Sequence, residues 1–83
     1  MLVETYTLEE LYQRLHIPQF EDRITKTNGS KELELITQVL ELYSELKEVY
    51  AKFEETNQIT DYVQLLILVD KISHLVRQYQ AIY

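Results

Sequence analysis

The chain has 83 residues, of which 46% are hydrophobic and 27% are charged, and it contains one glycine, one proline and no cysteine. This composition predicts a single helical domain over residues 1–83 and excludes a disulfide framework and thiolate chemistry. The net charge of −6 disfavours binding to a phosphate backbone, and the longest apolar run is far shorter than the about 20 residues that span a bilayer. We therefore expect no nucleic-acid or membrane partner and, since no signal-peptide pattern is present, a cytoplasmic protein.

The N-terminal part predicts a short helical segment over about residues 7–24. Thr7 and Glu10 have the spacing of a capping box, which starts a helix. Pro18 disfavours helical geometry at the residue before it, so this helix should end near His16. Because proline is tolerated in a first helical turn, a second short helix should follow directly.

The central part predicts a long helix over about residues 31–56. Asn28-Gly29 favours the positive φ of a tight turn or a helix stop, and Ser30 should then cap the helix. Apolar side chains alternate spacings of three and four residues, which is typical of a seam between two helices, and glutamates recur on the opposite face. The seam positions are Ile36, Val39, Tyr43, Leu46, Tyr50 and Phe53, and the glutamates are Glu34, Glu41, Glu48 and Glu55.

The C-terminal part predicts a second long helix over about residues 61–83, with Thr60 or Asp61 as its N-cap. Because the connection between the two long helices is short, they should pack as an antiparallel hairpin at a shallow angle. With the N-terminal segment, the expected fold is all-α and resembles a three-helix bundle. The predicted seam positions of this helix are Leu65, Leu68, Ile72, Leu75, Tyr79 and Ile82.

Five consecutive apolar residues, 65–69, encircle this last helix near its start. Leu65 and Leu68 belong to the seam, but Leu66 and Ile67 lie off it and require a further neighbour. At a rise of 1.5 Å per helical residue, the N-terminal segment is only about half as long as the hairpin. Either that segment or, more simply, a second copy of the chain should cover the pair, and in the second case the protein dimerises into a larger helical bundle.

Charge and tyrosine content indicate what the surface is built to contact. Residues 32–83 carry nine acidic and four basic residues, a net charge of −5, which suits a basic protein partner or simply favours solubility. There are seven tyrosines and no tryptophan. A tyrosine ring packs while its hydroxyl stays hydrated, which suits an interface. The candidate interface residues are Tyr62, Leu66, Ile67, Tyr79 and Tyr83.

One short segment has a likeness to a catalytic motif. Ser73-His74-Leu75-Val76-Arg77 resembles the histidine box of sensor kinases, whose phosphoacceptor histidines also lie on dimeric helical hairpins. The acidic residue after the histidine and the later proline are missing, so an exposed histidine on a polar face is the favoured interpretation. Asp70 lies four residues before His74 on the same helix face, so the two could bind a metal together, but two ligands do not make a metal site. We expect no enzyme activity, no cofactor and no metal, and keep phosphotransfer through His74 as an alternative.

Two features near the N-terminus are weak signals for anion binding. Residues 27–30 precede a helix N-terminus, which binds phosphate through backbone amides, but they lack the length and the lysine of a P-loop. The N-terminal segment has the rhythm of a helix-turn-helix, yet its reading helix would carry Glu21 and Asp22, which phosphates repel. Arg23, Lys26 and Lys31 nearby are expected to balance an acidic neighbour. A small nucleic-acid-binding regulator using residues 7–31 is the other alternative.

The patterns together favour a non-catalytic protein–protein interaction module. Its size and helical architecture are similar to those of small immunity proteins, although no motif matches residue by residue. Its acidic surface suits an immunity- or antitoxin-like regulator or inhibitor that covers a basic site on a larger protein. The expected partners are a second copy of the chain and, beyond it, a basic protein.

Overall fold

The computed structural model describes residues 7–83, which form helices and no strand. The helices are α1 (Leu8–Arg14), α2 (Ile17–Arg23), α3 (Ser30–Thr56) and α4 (Ile59–Ile82). The predicted all-α class is confirmed, and the N-terminal segment consists of two short helices, as expected. The molecule is elongated: its extents are 44 × 20 × 18 Å and its radius of gyration is 13.7 Å, against about 12 Å for a compact domain of this length.

The short helices α1 and α2 are joined by a sharp change of direction at His16. The Thr7 hydroxyl accepts a hydrogen bond from the Glu10 amide at 3.2 Å, as the predicted cap requires. His16 adopts the left-handed conformation with φ of 58°, and Pro18 lies in the first turn of α2. The break near His16 is therefore confirmed. The two helices and the two-residue connection between them bury Leu11, Leu15, Ile17 and Phe20.

The long helices α3 and α4 form the predicted antiparallel hairpin. Phe53 and Tyr62 stack near the connecting loop, with ring centroids 5.3 Å apart, while Tyr79 meets Glu32 at the opposite end. The buried side chains of both helices follow spacings of three and four residues. In α3 they are Glu32, Ile36, Val39, Tyr43 and Leu46, and in α4 they are Asp61, Leu65, Leu68, Ile72, Val76 and Tyr79.

The seam of α4 departs from the predicted heptad in its second half. Val76 is buried, whereas Leu75, the predicted seam residue, is only half-buried, and Ile82 is 61% exposed. A straight α-helix has 3.6 residues per turn and drifts by about 20° per heptad relative to a strict 3.5-residue repeat. The drift therefore brings Val76 into the buried stripe in place of its neighbour Leu75.

The helices α1 and α2 pack on one half of the hairpin. The rings of Tyr12 in α1 and Tyr43, at the middle of α3, lie 5.7 Å apart, and those of Phe20 in α2 and Tyr79 lie 4.9 Å apart. Towards the loop, Tyr50 and other seam residues of α3 become only half-buried. The N-terminal helices thus cover the hairpin end that is distant from the α3–α4 loop.

The connection before α3 differs from the expected tight turn. Gly29 has φ of −85° and is itself the N-cap residue, so the predictions of a positive φ at Asn28-Gly29 and of a Ser30 cap are wrong. The Gly29 amide donates to the hydroxyl of Thr27, which in turn binds Glu32. The side chain of Thr27 therefore shapes this loop.

The connection between α3 and α4 is shorter than predicted. Asn57, with φ of 54°, ends α3, and Gln58 is the N-cap of α4, so the prediction of a cap at Thr60 or Asp61 is wrong. Asp61 is buried in the first turn of α4, where it accepts a hydrogen bond from the Thr56 hydroxyl at 2.7 Å. Because Asp61 points inward, α4 starts two residues earlier and includes Ile59.

Candidate functional site

Four apolar side chains form an exposed stripe on the first turns of α4. Ile59 is 77% exposed, and Val63, Leu66 and Ile67 are each about half exposed, at 47%, 49% and 48%. Their spacing of four, three and one residues puts them on one side of the helix. Val63 and Ile67 are each two residues from the buried Leu65, and two residues correspond to a rotation of about 200° around the helix. We call these four residues the outer face of α4, because they lie opposite its packed seam.

The apolar run at residues 65–69 divides as its heptad positions predict. Leu65 and Leu68 are buried, Val69 is half-buried, and Leu66 and Ile67 are exposed. The helices α1 and α2 pack towards the other end of the hairpin, so they do not cover this pair. Within residues 7–83, the off-seam pair therefore has no covering helix.

The segment of α4 that carries the outer face has no exposed charge. Between residues 57 and 69 the one charged residue is Asp61, which is buried and has the Nζ of Lys52 at 3.8 Å. Exposed charges resume on α4 with Asp70 and Lys71. The outer face is thus an apolar area that ends at a pair of opposite charges.

The three candidate interface tyrosines lie in different environments. Tyr62 is half-buried against Phe53, next to the outer face. Tyr83 is 55% exposed, with its ring 5.0 Å from that of Tyr79. Tyr79 is buried, packs edge-on against Phe20 and is a core residue of the single chain. We therefore remove Tyr79 from the candidate surface, because a buried core ring cannot contact a partner.

A buried polar cluster lies at the opposite end of the molecule. The carboxylate of Glu32 accepts hydrogen bonds from the Arg23 guanidinium at 2.9 and 3.2 Å, from the Thr27 hydroxyl and from the Tyr79 hydroxyl. The expectation that these basic residues balance an acidic neighbour is confirmed for Arg23, and for Lys26, which pairs with Asp22. These bonds join α2, the loop, α3 and α4 through one side chain.

The cluster shifts the proton affinities of its members in opposite directions. Hydrogen bonds from Arg23, then Thr27 and Tyr79, lower the pKa of Glu32 from 4.5 to about 2. Burial and the hydrogen bond to Glu32 raise the pKa of Tyr79 above 10.0. The hydrogen bond to Glu32 also raises the pKa of Arg23. All three changes favour the protonation states that hold the cluster together.

The remaining candidates from the sequence lie apart from one another. His74 is exposed and borders a shallow groove with Asp70, on the polar half of α4. Residues 27–30 lie beside the ionised Glu32, whose charge opposes a bound phosphate. In α2, Glu21 accepts from the Tyr12 hydroxyl and Asp22 pairs with Lys26 at 3.0 Å.

The predicted start of the last helix at about residue 61 left Ile59 in the connecting loop, so Ile59 and Val63 were not recognised as part of a helical face. The detectable signal was the spacing of Ile59, Val63 and Ile67 at intervals of four, which marks a helical face. No such signal exists for the pairing of Glu32 with Tyr79, since 47 residues separate them.

The described part of the chain contains neither a membrane-spanning helix nor a group of metal ligands. No helix formed by residues 7–83 combines the length and the apolar character needed to cross a lipid bilayer. Over the same residues, no three histidine, cysteine or acidic side chains are grouped so as to hold a metal ion. The chain matches no protein-family model, no curated protein and no solved structure.

Proposed function

We propose that this chain is a non-catalytic protein–protein interaction module whose contact surface is the outer face of α4. The observation that carries the proposal is the row of four apolar side chains, each about half exposed or more, directly opposite the packed seam. Exposed apolar side chains scattered singly are normal on a protein surface, whereas a contiguous apolar patch marks an interaction site. A contact there would remove these side chains from water and so supply the driving force for binding.

The most perturbed carboxylate supports a structural rather than a catalytic use of the polar residues. Glu32 accepts from Arg23, Thr27 and Tyr79 and joins three helices and a loop. A general acid or base needs a pKa near the working pH, but the pKa of Glu32 is lowered to about 2. Its partners therefore suit a role in holding the helices together.

The charge of the whole chain supports a basic partner. The net charge is −6, and the exposed glutamates of α3 and Asp70 of α4 contribute to it. Complementary charges speed association and select partners, while an apolar contact supplies most of the affinity. A small acidic regulator that covers a basic site on a larger protein fits this charge.

The test compares capture by two forms of the immobilised protein from an extract of its native host. One form is wild type and the other carries Leu66→Gln with Ile67→Gln, which changes exposed side chains and should leave the helix content unchanged. A form with Glu34→Gln and Glu41→Gln, on the exposed back of α3, serves as the matched control. We expect a protein, identified by mass spectrometry, that wild type and the control retain and the Leu66/Ile67 form loses.

Rebinding of that protein in purified form, with the same dependence on Leu66 and Ile67, completes the test. If the Leu66/Ile67 form retains the same proteins as wild type, the outer face of α4 is not the contact surface and the proposal fails.

A further inference from the structure

The helices α1 and α2 cover one half of the buried side of α3. Arg23 of α2 binds Glu32 in the first turn of α3, and the ring of Tyr12 in α1 lies 5.7 Å from that of Tyr43. The α3 side chains between these two contacts are fully buried, namely Ile36 and Val39. We call residues 8–23, which comprise α1, α2 and their connection, the lid.

The other half of the hairpin holds together without a lid. Beyond Tyr43 the seam of α3 continues with Tyr50 and Phe53, which are only half-buried. The hairpin is nevertheless packed there, since Leu65 and Leu68 of α4 are buried. The pairing of α3 with α4 therefore buries a seam without a third layer, and it can do so in the covered half as well.

A non-helical segment joins the lid to the hairpin. The helix α2 ends at Arg23 and α3 begins at Ser30, and residues 24–29 between them form no helix. Thr27 in this segment binds the Glu32 carboxylate through its hydroxyl. A change of backbone angles within these six residues moves the lid away from α3 as a body, as a hinge does.

A charged pair at the edge of the hairpin fastens the lid. The Nη2 of Arg23 lies 2.9 Å from each carboxylate oxygen of Glu32, and its Nε lies 3.2 Å from Oε2. The Arg23 side chain is 41% exposed, so water can replace its carboxylate partner when the lid leaves. Glu32 then keeps the hydrogen bond from Tyr79 of the hairpin and gains water. Opening therefore leaves no buried charge without a partner.

We propose that the lid opens as one unit about residues 24–29 while the α3–α4 hairpin stays folded, and that the Arg23–Glu32 pair is the latch that holds it closed. The helices α1 and α2 have seven residues each, which is too short for stability alone, so both lose their hydrogen bonds when they leave the hairpin. Opening uncovers the apolar side of α3 around Ile36 and Val39. The inference is independent of the proposed function, because no lid or latch residue belongs to the outer face of α4.

Hydrogen exchange of single amides in the full chain, followed by NMR in a series of low urea concentrations, tests the lid without any substitution. The lid reporters are the amides of Leu15 and Ile24, which donate to Leu11 at 2.9 Å and to Phe20 at 3.0 Å, and the hairpin reporter is the amide of Leu68. We expect both lid reporters to share one small urea dependence and to open at least about tenfold more often than Leu68. The same urea dependence at all three amides, or different ones at Leu15 and Ile24, would overturn the proposal.

Leu65→Val separates opening of the lid from unfolding of the hairpin. Leu65 is buried in the half of the hairpin that has no lid, so the substitution weakens the closed and the open states equally. The exchange at Leu68 should accelerate about fivefold, the effect of one buried methylene, while Leu15 and Ile24 keep their wild-type rates. Equal acceleration at all three amides would mean that the lid opens only when the whole chain unfolds.

Arg23→Gln tests the latch, and Lys26→Gln is its matched control, because Lys26 forms an exposed ion pair with Asp22 at 3.0 Å. Loss of the hydrogen-bonded charge pair should accelerate exchange at Leu15 and Ile24 by the same factor, about tenfold. Lys26→Gln should change both rates by less than about twofold. An effect of Arg23→Gln that is confined to Ile24, or that is no larger than the effect of Lys26→Gln, would overturn the assignment of the latch.

Discussion

The hydroxyl of Tyr79, near the end of α4, donates a hydrogen bond to the buried carboxylate of Glu32, in the first turn of α3. Arg23 of α2 and Thr27 of the preceding loop bind the same carboxylate. One side chain therefore joins the elements at the end of the hairpin that is distant from the α3–α4 loop. The outer face of α4 lies towards the other end, so a change there should leave this cluster intact.

Loss of the Glu32 carboxylate should destabilise the protein in a pH-dependent way. The folded state lowers the pKa of Glu32 from 4.5 to about 2, so the ionised carboxylate stabilises folding above about pH 4.5. This contribution is lost as the pH falls towards 2. We expect Glu32→Gln to lower the thermal midpoint at pH 7, and the gap to wild type to close between pH 4.5 and 2. A gap that is constant across this range, or one matched by the exposed control Glu34→Gln, would contradict the assignment.

Removal of the Tyr79 hydroxyl should lower stability at neutral pH, and this effect should shrink at alkaline pH. Burial and the hydrogen bond to Glu32 raise the pKa of Tyr79 above 10.0, so the protonated phenol stabilises folding below pH 10 and loses this effect as the pH rises. Tyr79→Phe should lower the free energy of unfolding by about 1–2 kcal/mol at pH 7. Urea titrations at pH 7 and above pH 10 should show the difference shrinking. Tyr62→Phe, at a half-buried ring, should change little, and an equal loss there would argue against a specific role for Tyr79.

Two isoleucines of α4 separate the packed seam from the outer face. Ile72 is fully buried and Ile67 is 48% exposed. Ile72→Ala should cost about 2–5 kcal/mol in the free energy of unfolding, while Ile67→Ala should cost less than about 0.5 kcal/mol as a surface substitution. Chemical denaturation followed by circular dichroism measures both. A similar cost for both substitutions would mean that Ile67 is packed within the single chain.

The turn at His16 should respond to glycine and to a β-branched residue in opposite directions. Its φ of 58° lies in the left-handed region, which strains side chains with a β-carbon. His16→Gly should raise the free energy of unfolding by up to about 1 kcal/mol, whereas His16→Val should lower it by about 1–3 kcal/mol. Thermal unfolding followed by circular dichroism measures both effects. Equal stability of the two variants would show that the chain between α1 and α2 does not need this conformation.

The hairpin could be predicted from sequence because its information is local. The alternation of three and four residues from Ile36 to Leu46 reflects which side of α3 is buried, and it is visible in the chain itself. In the seam of α4, Val76 is buried in place of the predicted Leu75, because a straight helix drifts relative to a strict heptad repeat.

Other features depend on tertiary contacts that sequence patterns do not encode. Asp61 is a residue type that often caps helices, but here its buried carboxylate accepts a hydrogen bond from the Thr56 hydroxyl. The helix α4 starts earlier, at Ile59. The outer face was therefore only partly recognised, as Leu66 and Ile67. The contact of Glu32 with Tyr79 needed the fold, because it joins residues whose separation along the chain carries no pattern.

Capture by the immobilised protein tests the central claim, that the outer face of α4 is a contact surface, most directly. Wild type and the Glu34→Gln/Glu41→Gln control should retain a protein that the Leu66→Gln/Ile67→Gln form loses, and the purified protein should rebind with the same dependence. Retention of the same proteins by all three forms would contradict the claim.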